Sequence, residues 1–341
     1  MKKKIIAFYK KNSKSILLVL RIVVSISLIA YLIKTQFKNF SSIVEILKSS
    51  NKILILLALS THVFGTWITA FRWKTLLNTQ NVKLSTASLS VTVIIGLFFN
   101  NILPTIIGGD VFRTYDASKK ANIPLSSSAS VIMVERFSGT VSSAFYAVAA
   151  LFLGFTAIGN QPIIIPIVIF FIIVVIMALM VVKPSIFGIT KFLKKFKFAR
   201  RIKDKLSNAY DTLTSFKNHK IVLLKVLIYS FFLQFAVILN WYLSAKALGI
   251  NLGLTAFIFI VPVVSIIAMI PISIGGIGLR ENSLVFIMVA MGVANDKAAL
   301  CSLLILVALI LVGIIGGIVY VVRPYFEDKF KKEDSGKESE I

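Results

Sequence analysis

The string Pro-x3-Gly-Gly-x3-Arg occurs twice, at 104–113 and 271–280, each time at the end of a hydrophobic run. The first copy carries Gly108, Gly109, Asp110 and Arg113. The second carries Gly275, Gly276, Gly278 and Arg280, with Glu281 directly after. Proline and paired glycine interrupt helices. A bilayer tolerates interrupted backbone only where protein or a water-filled cavity surrounds it. If the flanking runs enter a membrane, both strings must therefore form turns inside the protein.

Composition puts them there. Of 341 residues, 57% are hydrophobic and 15% charged, and the mean hydropathy is +0.89. Several apolar runs reach the roughly 20 residues that cross a bilayer as helix. The chain reads as an all-α polytopic membrane protein. Its 38 Lys+Arg against 14 Asp+Glu flank apolar runs, as expected for membrane anchors and loops near anionic lipid. No nucleic-acid fold lies between them, so no nucleic-acid partner is expected. Cys301 is the only cysteine, and His62 and His219 are far apart. No disulfide, metal site or cofactor is expected, and no catalytic motif is visible.

Six lysines and no acid in residues 2–14 place the N-terminus in the cytoplasm. Spans are expected at 16–33 and 53–71, with an amphipathic interfacial helix between them and Arg72-Trp73-Lys74 as a boundary anchor. The stretch 124–155 is too long for one simple crossing. Its serine-rich start suits an interface, and 137–155 completes the passage. Further spans are expected at 162–182, 221–243 and 298–322. The segment 183–220 holds eleven Lys/Arg and two Asp, so it is cytoplasmic. That parity requires 85–122 to dip into the membrane and return, and 252–293 repeats the pattern from the other face.

The expected fold has about six full spans and two re-entrant or broken hairpins. One domain covers 1–325, with repeat one at 16–182 and repeat two at 221–323, followed by a disordered charged tail at 326–341. A common offset of 167 residues relates the halves in opposite orientation. Such inverted repeats gather interrupted segments near the midplane to form a transport site.

Intramembrane charge is costly and marks function by default. Asp110, Arg113, Glu135, Arg136, Arg280 and Glu281 are the candidates. The glycine pairs permit positive φ and close backbone approach to a ligand, and arginine offers a planar fork to an anionic head group. The bland alternative is pairing of these charges with one another, such as Asp110 with Arg136 or Glu135 with Arg113. Arg72 is explained as an interfacial anchor, and His62 and Asn240 as helix-packing residues.

Taken together, Arg72-Trp73, Gly108-Gly109-Asp110 with Arg113, Glu135-Arg136 and the 271–281 string resemble the lysylphosphatidylglycerol synthase transmembrane-region family over roughly 10–325. The resemblance implies a flippase-like membrane region. It does not carry over the aminoacyl transfer of a C-terminal synthase domain, which this chain is expected to lack. The expected function is translocation of an anionic or zwitterionic phospholipid, or of a polyprenyl-linked head group, in the plasma membrane of a prokaryote. A separate lipid-modifying enzyme is a possible partner. Two rivals are a scaffold presenting the basic 183–220 loop, and a membrane transferase with Asp110 or Glu135 as base.

Overall fold

The computed structural model describes residues 19–20, 22–36, 40–103, 108–152, 216, 219–268, 270 and 272–338. Among them are ten α-helices: α1 Ile22–Gln36, α2 Phe40–Ser49, α3 Lys52–Leu77, α4 Thr86–Ile102, α5 Gly108–Ala121, α6 Leu125–Phe152, α7 Lys220–Ala247, α8 Leu254–Ala268, α9 Leu279–Ala290 and α10 Asn295–Glu338. The span expected at 162–182 and nearly all of the 183–220 loop fall outside the described residues.

Among the described residues, three helices are long and apolar enough to cross a membrane: Lys52–Gln80, Lys220–Ala247 and Asn295–Arg323. Leu56, Phe64, Leu224 and Phe232 stand exposed on α3 and α7, as lipid-facing side chains do. The chain is an all-α integral membrane protein. Within the stretch 124–155, too long for one simple crossing, Leu125–Phe152 is one unbroken helix, α6. Its serines do not break it because they bond back along the turn, Ser130 to the Ser127 carbonyl at 2.5 Å and Ser138 to that of Val134 at 2.9 Å. At its far end α10 continues to Glu338, through the charged segment expected to be disordered.

The arms of both hairpins are short. α4 and α5 have 17 and 14 residues, α8 and α9 have 15 and 12. At 1.5 Å per residue these reach about 18–26 Å, less than the roughly 30 Å hydrocarbon core. Each is followed or preceded by a long helix, α6 or α10.

The pair α3 and α7 forms the spine on which the hairpins sit, and it is antiparallel. The Asn51 amide donates to the Ala247 carbonyl at 2.9 Å at one end. Arg72 Nη1 donates to Ser230 Oγ at 3.0 Å near the other. Between them Asn240 Nδ2 donates to the Ala58 carbonyl at 2.6 Å and Thr61 Oγ1 at 3.0 Å, the packing role expected of it. The first hairpin starts from the C-terminal end of α3 and the second from the C-terminal end of α7. In an antiparallel pair these are opposite ends, so the two hairpins start from opposite ends of the spine.

Each hairpin then leans on the long helix of the other half: α4 packs on α10, and α8 on α6. The α4–α10 contact is close because α10 offers glycine. A Cβ at Gly316 would strike the Ile94 carbonyl, and one at Gly317 would press on the Phe98 ring. Small residues of this kind let membrane helices approach. Asn101 Nδ2 also donates to the Leu309 carbonyl at 3.1 Å. Two hydrophobic clusters fill the ends. One gathers around Trp73, Leu77, Leu89 and Val131 at the base of the first hairpin. The other gathers around Phe257, Ile260, Leu284 and Met288 at the base of the second.

Candidate functional site

The two Gly-Gly pairs have the same sequence spacing and different backbones. Gly108 and Gly109 are the first residues of α5 and are helical, which corrects the expectation of a positive-φ turn. They are required for another reason. Added Cβ atoms would strike Phe99 O and Leu103 from Gly108, and Gly96 O from Gly109, so the pair lets α5 lie directly on α4. Asn100 Oδ1 accepts from the Gly109 amide at 2.8 Å and closes the turn. In the second hairpin Gly275, Gly276 and Gly278 all have positive φ, at 56°, 79° and 85°, a region only glycine enters freely. The extra glycine delays the helix, which starts at Leu279.

This shift reconciles the acids. Asp110 is the third residue of α5 and Glu281 the third of α9, where a carboxylate faces the positive end of the helix dipole. Glu281 Oε2 accepts from the Gly278 amide at 2.6 Å, and Oε1 accepts from Arg280 Nε at 2.8 Å. Glu281 is therefore buried as a cap and as the support for Arg280. Helix α1 braces the loop: Ser25 Oγ accepts from the Ile274 amide at 2.9 Å, and Asn282 Nδ2 donates to the Leu28 carbonyl at 3.0 Å.

Around the first hairpin the charges form one chain. Arg113 Nη1 and Nη2 donate to Glu135 Oε1 and Oε2 at 3.1 and 2.8 Å. Arg72 Nη2 donates to Glu135 Oε1 at 2.7 Å. Asp110 accepts from Arg136 Nε at 2.5 Å and lies 3.4 Å from Arg113 Nη1. Both pairings anticipated from the sequence are present. Arg72 is a correction: it is 6% exposed and holds Glu135, so it is no interfacial anchor. An Arg-Trp-Lys string after an apolar run reads the same in either role, and only the fold brings Glu135 opposite. Trp73 contributes as well, with the Arg113 guanidinium carbon 4.4 Å from its ring centroid.

The hairpin tips meet at a cavity of about 420 Å³ between α3, α4, α7 and α8, within the roughly 300–1,000 Å³ usual for ligand sites. Asp110 and Arg113 reach it from the first hairpin, Gly275 and Arg280 from the second, and His62, Thr66 and Asn100 complete its polar wall. Gly275 lies beside the Asn100 carbonyl, where an added Cβ would be 3.5 Å away. Arg113 Nε and His62 Nε2, on two of the residues that line it, are buried with no hydrogen-bond partner among the described residues. His62, expected to be a helix-packing residue, lines the cavity instead, and Thr66 and Asn100 are site residues the sequence did not single out. Their neighbours in sequence are ordinary span residues. Gly276, Gly278, Glu135 and Glu281 sit behind the cavity wall, while Gly108 and Arg136 face a second cavity beside α6.

The family model described as Lysylphosphatidylglycerol synthase TM region matches residues 18–317. A UPF0104 membrane protein of Pyrococcus horikoshii is 26% identical over 309 residues, covering 84% of this chain and 90% of the relative. A UPF0104 membrane protein of Methanocaldococcus jannaschii is 28% identical over 138 residues, covering 40% of this chain and 39% of the relative. No solved structure matches the chain.

Proposed function

The chain belongs to the lysylphosphatidylglycerol synthase TM region family, and from that premise and the cavity between its hairpins we propose that it translocates a phosphate-bearing lipid across the membrane. The observation that carries this reading is that Arg113 and Arg280, from hairpins that start at opposite ends of the spine, line one cavity. Arg280 is the mobile contact for phosphate, because its partner Glu281 also accepts from the Gly278 amide and so stays in place when Arg280 turns. Arg113 is fixed by Glu135 and lines the cavity from a rigid position. His62 and Thr66 accommodate the rest of the head group.

The same reading takes the two halves as an inverted repeat: α3 with α7, α4–α5 with α8–α9, and α6 with α10. Most packed pairs exchange under that correspondence. The pairs α3–α4 and α7–α8, α5–α6 and α9–α10, and α4–α10 and α8–α6 are each packed. Alternating access then moves one half against the other about the antiparallel spine. Lacking a nucleotide-binding motif, such a protein would use an ion or lipid gradient, or move lipid without energy input. Its place is the plasma membrane of a prokaryote, with both termini cytoplasmic, and an enzyme that modifies the lipid is a fitting partner.

Lipid retained by the purified protein tests the binding half of this proposal. Mass spectrometry is expected to find an anionic phospholipid or polyprenyl phosphate enriched over the host membrane, and the Arg113→Ala/Arg280→Ala variant is expected to lose that enrichment. Retained lipid that mirrors the bulk membrane in both proteins would contradict it.

A further inference from the structure

A second cavity, of about 880 Å³, lies between the first hairpin and α6, and it differs in kind from the first. Phe99, Leu103, Phe112, Ile132, Met133 and Phe137 give it an apolar lining. Val111, Tyr115, Leu125 and Met133 along it are among the exposed large side chains, on a protein whose exposed apolar helix faces meet lipid. The groove is thus continuous with the lipid-facing surface. It has one charged edge, where Arg136 pairs with Asp110. Asp110 lines this groove and the polar cavity alike. Arg136 lies eleven residues into α6, about 17 Å along the helix axis from its start.

We infer that the Asp110–Arg136 pair is the partition between two subsites for one lipid, with the phosphate-bearing head group in the polar cavity and an acyl chain in the apolar groove. The inference rests on the lipid-translocase reading and adds to it where the chain lies and what must open. A buried aspartate and a half-exposed arginine side chain, 12% and 46% accessible, suit that task. Arg136 can leave Asp110 for a phosphate arriving from the groove side, exchanging one anionic partner for another. Asp110 then keeps its contact with Arg113 at 3.4 Å, so neither charge is stranded during the exchange. An acyl chain is the occupant favoured by the apolar lining, by continuity with the lipid-facing surface, and by a cationic side chain at the end where a phosphate would sit.

Two photoreactive phosphatidylglycerols, incorporated into vesicles with the full chain, separate the possibilities. One carries a diazirine near the end of an acyl chain, the other on the glycerol head group. The expected result is saturable labelling by the chain probe at 111–115 and 129–140, and by the head-group probe around Thr66 and Arg280. Excess unlabelled phosphatidylglycerol should compete with both, and diacylglycerol with neither. Ala129→Trp and Met133→Trp should each reduce chain-probe labelling about tenfold and leave head-group labelling in place. Arg136→Gln should reduce head-group labelling by a similar factor, and Arg136→Lys should restore most of it. Chain labelling confined to α3 and α7 surfaces, with head-group labelling intact, would overturn the groove assignment and leave the lipid reading standing. Absence of saturable labelling by either probe would overturn both. The map of the parent protein decides these outcomes even if a tryptophan variant fails to fold.

Discussion

Arg113 grips both carboxylate oxygens of Glu135, at 3.1 and 2.8 Å, while its guanidinium lies over the Trp73 ring. Arg72 holds the same carboxylate from α3. One acid thus ties the first hairpin to α6 and to the antiparallel spine. Removing one partner of a buried ion pair leaves an uncompensated charge, which typically costs about 3–5 kcal/mol. Glu135→Gln, which takes the shared carboxylate from buried Arg72 and leaves buried Arg113 only its 3.4 Å contact with Asp110, is expected to fall in that range. A clear fall in the thermal unfolding midpoint of the detergent-purified protein would show it, and an unchanged midpoint would count against the network.

The helical glycines make a sharper prediction, because Gly109 on α5 and Gly139 on α6 should respond differently to the same substitution. Gly109→Ala drives a methyl into the Gly96 carbonyl. Backbone cannot yield cheaply, and overpacking of this kind costs about 1–3 kcal/mol. Gly139→Ala on α6 meets nothing closer than Arg72 Nη1 at 3.9 Å. There the higher helix propensity of alanine, about 1 kcal/mol at most, should leave stability equal or raised. Unfolding midpoints of the two variants measured side by side check this.

Asn240 joins the spine through a carbonyl and a hydroxyl of α3. Hydrogen bonds between membrane helices are worth about 0.6 kcal/mol on average and up to about 1.7. Asn240→Ala should therefore destabilise by about 0.5–2 kcal/mol, less than Glu135→Gln. An equal loss in both would mean that the charge network contributes no more than a neutral packing bond.

Asp116 on α5 accepts from Arg323 of α10 at 2.8 Å and from Thr92 of α4 at 2.6 Å. This clasp joins the open end of the first hairpin to the other half. If the halves move against each other, Asp116→Asn should loosen that end. Hydrogen exchange of α5 amides is expected to rise severalfold while α3 and α7 amides stay protected. Uniform protection would assign the clasp no part in holding the halves together.

How much of this was legible in the sequence differs from residue to residue. Both hairpins were, because proline and paired glycine inside apolar runs admit few alternatives and the arms are too short to cross. Pairing of Glu135 with Arg113, and of Asp110 with Arg136, was legible because unpaired charge is too costly at such depth. The burial of Arg72 was not, since its string has the form of an anchor. Nor was the helical state of Gly108-Gly109. Its spacing matches that of Gly275-Gly276, and the difference arises from Asp110 entering the first turn of α5 while Gly278 holds the second loop open. His62 and Thr66 belong to the cavity only because α3 turns that face toward the hairpin tips.

Translocation by the purified protein tests the central claim most directly. Vesicles carrying fluorescent phosphatidylglycerol in both leaflets are exposed to a quencher that reaches only the outer one. Vesicles with the parent protein are expected to lose fluorescence beyond the outer-leaflet fraction. Arg280→Ala takes the ion-pair partner from buried Glu281 and should lower the unfolding midpoint; assayed well below that midpoint, it should slow the loss about tenfold, equivalent to roughly 1.4 kcal/mol. Vesicles that lose no more fluorescence than protein-free controls, or Arg280→Ala protein as fast as the parent, would contradict the account.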